Sequence, residues 1–352
     1  MPVPPPVPPE KIPEPVPFHF HGNTQEYFRI WIVNTLLTVL TCGVFLAWAK
    51  IRKRRYLRGN TTLQGHAFHY TANPWRILIG NMLVAAVFLT YSFFGAVYPV
   101  ARGAAILIGL ALLPWVVVKS LSFNANNTLF RGMRFRFRAG LTEAFWIYLV
   151  LPILIPFTLG FYYPAWARRK AAFKMENHRY GDAFFSFSAD TGGFFRPMFF
   201  GGLIVFGGAM LLGLSVAGYV AISDDTIPNE TVLGVLGLVV YGGAFFTGRH
   251  FIYPRVFNHI WNHTKLDEHC FMAQMRPGAW MKLQWVNLLA IIFTAGLAVP
   301  WATIRNTRYL VSCLHVKLTE VDALEKIDTM GSIQGSALGD SAADFVGVDF
   351  GL

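Results

Sequence analysis

The chain has 352 residues, of which 54% are hydrophobic and only 14% charged, against about 25% charged in a soluble domain. That deficit excludes an ordinary water-soluble fold, because long uncharged runs need lipid rather than an aqueous shell. The formal charge of +11 would suggest nucleic acid in a soluble protein. Here the basic residues flank apolar runs, where headgroup attraction and the positive-inside bias place them, so anionic lipid is the expected partner and nucleic acid is not.

Residues 1–17 are dominated by proline and lack the apolar stretch of a signal peptide, so they read as an extended, disordered arm. Seven uncharged runs follow, at 30–49, 77–101, 103–118, 144–167, 197–223, 231–248 and 283–304. The second and third turn at Arg102 and form one helical hairpin, within 75–118. The fifth and sixth form another, within 197–248, around the acidic turn Ser223 to Glu230. Ala209, Gly213 and Ala217 give the fifth run a small-residue stripe on which a helix can pack closely.

The other three runs resemble one another. Asn34, Thr41-Cys42-Gly43, Trp48, Arg52 and Arg55-Tyr56 recur at the same intervals as Asn287, Thr294-Ala295-Gly296, Trp301, Arg305 and Arg308-Tyr309. Thr158-Leu159-Gly160 and Trp166 form a degenerate copy without the arginine-tyrosine pair. Segments alternating on a two-residue period flank these copies: Phe18-His19-Phe20-His21, Phe68-His69-Tyr70, Phe135 to Arg138, Phe185 to Ser188, Cys270 to Met272 and Leu314 to Val316. Such alternation marks half-buried strands. The expected architecture is therefore a polytopic α-helical membrane domain over 18–318 with a small cytosolic or interfacial β-strand portion. Three pseudo-repeats, about 18–71, 121–188 and 258–318, are separated by the two hairpins. The tail 319–352 is acidic, aperiodic and expected to be disordered.

The spaced Thr-x-Gly, Trp-Ala and Arg-Tyr motifs, with Phe18 to Gly22 and Gly65-His66-Ala67-Phe68, resemble the YjgN-like bacterial inner-membrane family (domain of unknown function 898) over about residues 18–318. The resemblance implies a multi-pass inner-membrane protein and supplies no activity, ligand or catalytic residue.

Candidate residues fall into three groups. Asn34, Thr41, Gly43, Thr158, Gly160, Asn287, Thr294 and Gly296 mark the broken centres of the repeated runs. The two asparagines either line a polar pathway or bond backbone opened at the break, the second being preferred. Trp48, Arg52, Arg55, Tyr56, Trp166, Trp301, Arg305, Arg308 and Tyr309 form the lipid-interface set, where apolar runs meet basic flanks. His19, His21 and His69 could meet across paired strands as metal ligands, as could His259 and His263 with His269 and Cys270. Interfacial polar roles are preferred for all of them, and no metal or other cofactor is expected. Cys42, Cys270 and Cys313 are too scattered for a disulfide framework.

No Walker loop, dinucleotide fingerprint, His-Glu-x-x-His helix or Gly-x-Ser-x-Gly elbow is present, and Ser215 with His250 is read as packing. An enzyme is thus not expected. The leading functional reading is a small-molecule or ion transporter or channel, with an anionic-lipid-binding scaffold as the alternative; a homo-oligomer is compatible with either. If all seven runs crossed, the 30 Lys and Arg would divide almost evenly between the two sides. If the three repeated runs are re-entrant, only Arg102 faces outward and both termini are cytoplasmic. Re-entry is the expectation.

Overall fold

The computed structural model describes residues 14–223 and 229–318. The expected arm up to residue 13, the tail 319–352 and residues 224–228 of the acidic turn lie outside them.

Ten strands pair edge to edge and close into an antiparallel barrel. This overturns the expectation of a polytopic helical domain with a minor strand portion and three pseudo-repeats. The strands form one continuous central element, and the same helix-pair and β-hairpin arrangement recurs five times around it. Unit I comprises α1 (Thr24–Leu40), α2 (Leu46–Gly59), β2 (Thr61–Leu63) and β3 (His66–Tyr70). Unit II has α3 (Pro74–Val97), α4 (Pro99–Asn126), β4 (Thr128–Phe130) and β5 (Met133–Phe137). Unit III has α5 (Leu141–Phe157), α6 (Tyr163–Glu176), β6 (His178–Tyr180) and β7 (Ala183–Phe187).

Unit IV has α7 (Gly192–Ser223), α8 (Glu230–Asn262), β8 (Thr264–Leu266) and β9 (His269–Ala273). Unit V has α9 (Pro277–Phe293), α10 (Val299–Ser312) and β10 (Leu314–Lys317), and its second strand comes from the other end of the chain as β1 (Pro15–Phe20). That strand starts inside the stretch expected to be an arm, with Pro15 opposite Lys317. Closure leaves no unpaired strand edge to aggregate.

The ends of the strands repeat one device. The amides of His21, Thr71, Arg138, Ser188 and Gln274, each just beyond a long strand, donate to the carbonyls of Asn60, Asn127, Asn177, His263 and Cys313 at 2.9–3.0 Å. All five helix pairs therefore leave the barrel from one rim. The tight turns, among them Gln64-Gly65 and Arg131-Gly132 with positive φ at both residues, occupy the opposite rim together with Pro15 of β1 and Lys317 of β10. Positive φ at both central residues matches the right-handed twist of the hairpin strands.

Three of the helix pairs reverse at the Thr-x-Gly motif. Gly43, Gly160 and Gly296 have φ of 92°, 87° and 93°, and each glycine amide reaches back to a carbonyl five residues earlier at 2.8 Å. That is a left-handed helix stop, which a side chain would strain. Asn23 and Tyr56, 33 positions apart, touch through hydrogen bonds of 2.8 and 2.9 Å, so the second helix returns antiparallel along the first. The tips are apolar and bare: Leu40, Leu159 and Phe293 are 77%, 88% and 84% exposed.

Among the described residues, three helices are long and apolar enough to cross a membrane: Arg102–Asn126 within α4, Gly192–Ile222 within α7, and Glu230–Asn262. The α7/α8 pair packs through glycines, although not through the expected stripe. Ala209, Gly213 and Ala217 are exposed, and a Cβ on Gly213 would meet nothing within 4 Å. The contact runs through Gly201, Gly208 and Gly248. A Cβ on Gly248 would sit 2.8 Å from the Gly201 carbonyl oxygen, and one on Gly208 would sit 2.1 Å from the Ala244 Cβ. Backbone cannot swing away as a side-chain tip can. Gly248→Ala is therefore expected to destabilise by about 1–3 kcal/mol, read as a lower melting temperature in detergent, while Gly213→Ala leaves it unchanged. Equal melting of the two would remove the interface from Gly248.

Candidate functional site

The inward faces of the strands define the principal site. Five cross-strand pairs ring the lumen: Phe18 with Leu63, Phe68 with Phe130, Phe135 with Tyr180, Phe185 with Leu266, and Phe271 with Val316. Every unit contributes a phenylalanine from the middle of its long strand and a second large apolar side chain from its short strand. The rings engage at centroid distances of 4.6 Å (Phe68–Phe130), 4.9 Å (Phe135–Tyr180) and 6.0 Å (Phe185–Phe271), the range in which aromatic pairs attract. They leave a cavity of about 210 Å³ with a wholly apolar surface, completed by Trp261, Leu314 and Leu318.

Two polar groups at this wall are accounted for. The Tyr180 hydroxyl donates to the Phe130 carbonyl at 3.0 Å. His269, 5% exposed, has its pKa pushed below the ordinary histidine value by burial, which outweighs the opposing pull of Asp267 and Glu268. Burial disfavours its charged form, so the imidazole itself is neutral at pH 7.

The residues singled out from the repeated motifs lie elsewhere. Thr41, Thr158 and Thr294 staple the hairpin tips. Each hydroxyl donates four residues back, at 2.7, 2.9 and 2.7 Å, and accepts an amide four residues on, at 3.0, 3.1 and 2.9 Å. Asn34 and Asn287 are buried between the arms of their hairpins, each with Oδ1 3.4 Å from an arginine, Arg52 and Arg305 respectively. Asn287 also donates to Asn306 at 2.8 Å. The two arginines lie over the aromatic rings of Phe45 and Trp301, at 5.2 and 4.9 Å.

Arg55 and Arg308 reach the next unit, donating to the carbonyls of Ala72 and Gly22 at 3.0 Å each. In the degenerate third copy Arg168, from an earlier turn of its helix, makes the corresponding bond to Ala189 at 2.7 Å. Tyr56 and Tyr309 tie the two helix bases of their own hairpins, bonding Asn23 and Arg276. Trp166 donates to the Ile147 carbonyl at 2.7 Å, while Trp48 packs edge-on against Trp75 at 5.1 Å.

His19, His21 and His69 are exposed, with His19 and His69 on the outer face of the barrel. His21 bonds the Thr62 hydroxyl at 3.2 Å, and the three do not converge on one point. His269 and Cys270 lie in β9, apart from the His259/His263 pair at the end of α8. Sequence reasoning missed Leu63, Phe130, Tyr180 and Leu266, whose signal was a large apolar residue closing each three-residue strand, and Trp261, at the end of α8, which carried no such signal.

A closed, apolar barrel carrying five helix pairs on one rim, with lipid-compatible arms, defines a membrane protein. The chain belongs to the family described as bacterial protein of unknown function (DUF898), whose pattern matches residues 15–345. It is 33% identical over 149 residues to "Inner membrane protein YjgN" of Escherichia coli K12, covering 41% of this chain and 36% of that protein. It is 31% identical over 137 residues to the protein of the same name from Salmonella typhimurium, covering 39% and 35%. The matched segment thus spans about a third of these relatives. No solved structure matches the chain.

Proposed function

We propose that this protein is a multi-pass inner-membrane protein that holds an acyl chain, or an apolar small molecule of similar girth, in the barrel lumen and exchanges it with the surrounding bilayer. The observation that carries this reading is the wholly apolar cavity inside a five-phenylalanine ring, in a barrel whose helix pairs themselves expose large apolar side chains. A wholly apolar wall is a poor path for an ion, which would shed its hydration with no polar group to replace it. It suits a hydrocarbon chain, which gains roughly 0.8 kcal/mol per buried CH₂.

The net charge of +11 supports an anionic headgroup on that ligand and a cytoplasmic barrel with both chain ends on that side. The role is one of binding and transfer, without catalysis. The test is photocrosslinking of the detergent-purified protein with a fatty acid carrying a mid-chain diazirine. Crosslinks are expected in the peptides holding Phe135, Tyr180 and Phe271, and Leu266→Trp, which fills the lumen, is expected to reduce them at least about fivefold with little change in melting. Crosslinks confined to the outer faces of α7 and α8 would overturn the reading.

A further inference from the structure

One residue position closes the helix that leads into each short strand. Asn60, Asn127 and Asn177 each turn Nδ2 back to the carbonyl four residues earlier, at 2.8, 2.8 and 2.9 Å. In unit IV the position is His263, whose Nδ1 lies 2.8 Å from the His259 carbonyl and keeps the cap. An imidazole that donates through Nδ1 leaves its Nε2 lone pair for a metal, and this kind of backbone bond fixes the tautomer of metal-binding histidines.

Two further positions change in the same unit. Where Tyr56 and Tyr309 tie the helix bases by a hydroxyl, unit IV has His259, whose Nε2 lies 3.0 Å from the Asp190 carbonyl and 3.1 Å from Asp190 Oδ1. Where Asn23 and Asn73 start their helices, unit IV has Asp190, whose Oδ2 accepts the Gly193 amide at 3.2 Å. One ligating atom of Asp190, His259 and His263 lies within 4.8 Å of the others, the one such trio of His, Cys, Asp or Glu among the described residues. Gly193 makes room for the ring, since a Cβ there would lie 2.1 Å from it.

We propose that Asp190, His259 and His263 bind a divalent first-row transition-metal ion of the zinc type at the barrel rim of unit IV. Two imidazole nitrogens and one carboxylate oxygen are a zinc donor set that leaves a fourth position open, and the exposed Asp190 gives the ion a route from solvent. On binding, the metal replaces the hydrogen between His259 Nε2 and Asp190, and the neutral imidazole carries its single proton on Nδ1 instead. Capping explains His263 and tying explains His259, but neither explains why both changes coincide with a carboxylate in a single unit. The ion would join the start of α7 to the end of α8.

The test uses the full chain in detergent, stripped by chelator and titrated with Co²⁺. Wild type is expected to take up one equivalent with the visible absorption of a four-coordinate ion, displaced by Zn²⁺. His263→Asn and His259→Tyr install the residues that other units use at these positions. They are expected to weaken uptake at least about tenfold, with unchanged melting of the metal-free protein. Failure of the wild type to bind Co²⁺, or equal binding by both variants through the other histidines, would refute the proposal. Should either variant melt early, Asp190→Asn, which keeps a capping oxygen, decides: undiminished binding by it overturns the site.

Discussion

Phe130→Ala is expected to cost about 3–5 kcal/mol of stability, among the largest effects of any single truncation in the barrel. The side chain is 3% exposed. It stacks on Phe68 at 4.6 Å across one strand boundary and faces Met133 across the other. It also ends β4, a strand of three residues, whose ladder is too short to hold its place without that packing. The void would join the existing cavity rather than collapse, because the flanking strands are fixed by barrel closure, and residual cavity is what makes such truncations expensive. His19→Ala, on the exposed outer face of β1, is expected to change stability by less than about 0.5 kcal/mol. Thermal unfolding in one detergent reads both. Wild-type melting of Phe130→Ala would mean that the ring around the lumen is not a packed core.

The long strands were legible and the short ones were not, for a physical reason. Phe18, Phe68, Phe135, Phe185 and Phe271 stand in segments long enough to show a two-residue period, and all five face the lumen. Thr61–Leu63, Thr128–Phe130, His178–Tyr180 and Thr264–Leu266 have three residues each, too few to alternate. The Asn and Gly residues around several of them read as turns.

Closure itself leaves no local trace, since it pairs β1 with β10 and joins Arg308 to Gly22 across 286 positions. The count of five units was hidden because units II and IV lack the Thr-x-Gly stop. Unit II turns at Tyr98, between α3 and α4, and the longer helices of both units look like a different motif. The stop itself was legible as broken backbone, because a left-handed residue pair calls for glycine. Its purpose was not, because a reversal and a pathway look alike until Tyr56 is seen against Asn23.

Topology labelling is expected to give an all-or-none result that separates the long helix pairs from the short ones. All five pairs start at the same rim, so helix length measures how far each reaches. At about 1.5 Å per residue, the 28, 32 and 33 residues of α4, α7 and α8 extend roughly 42–50 Å. The 17 residues of α1, α5 and α9 extend only about 25 Å. The hydrocarbon core is about 30 Å thick, and the short pairs carry Arg52 and Arg305 bonded to Asn34 and Asn287 at the hairpin centre rather than facing lipid. The short tips are therefore expected to end within the bilayer and the long ones beyond it.

Single cysteines at Arg102, Leu159, Asp182 and Glu268, in a background lacking Cys42, Cys270 and Cys313, would be challenged with a membrane-impermeant maleimide. Arg102→Cys, beside the turn of the long unit II pair, is expected to react on intact spheroplasts. Asp182→Cys and Glu268→Cys, on exposed turns at the far rim of the barrel, are expected to react only after permeabilisation, and both together. Leu159→Cys is expected to resist from either side, although its side chain is 88% exposed on the isolated protein, since a tip ending within the bilayer would be covered by lipid. Labelling of Leu159→Cys from outside would make the unit III pair a crossing hairpin. Labelling of one barrel turn without the other would be incompatible with a barrel standing on one face of the membrane.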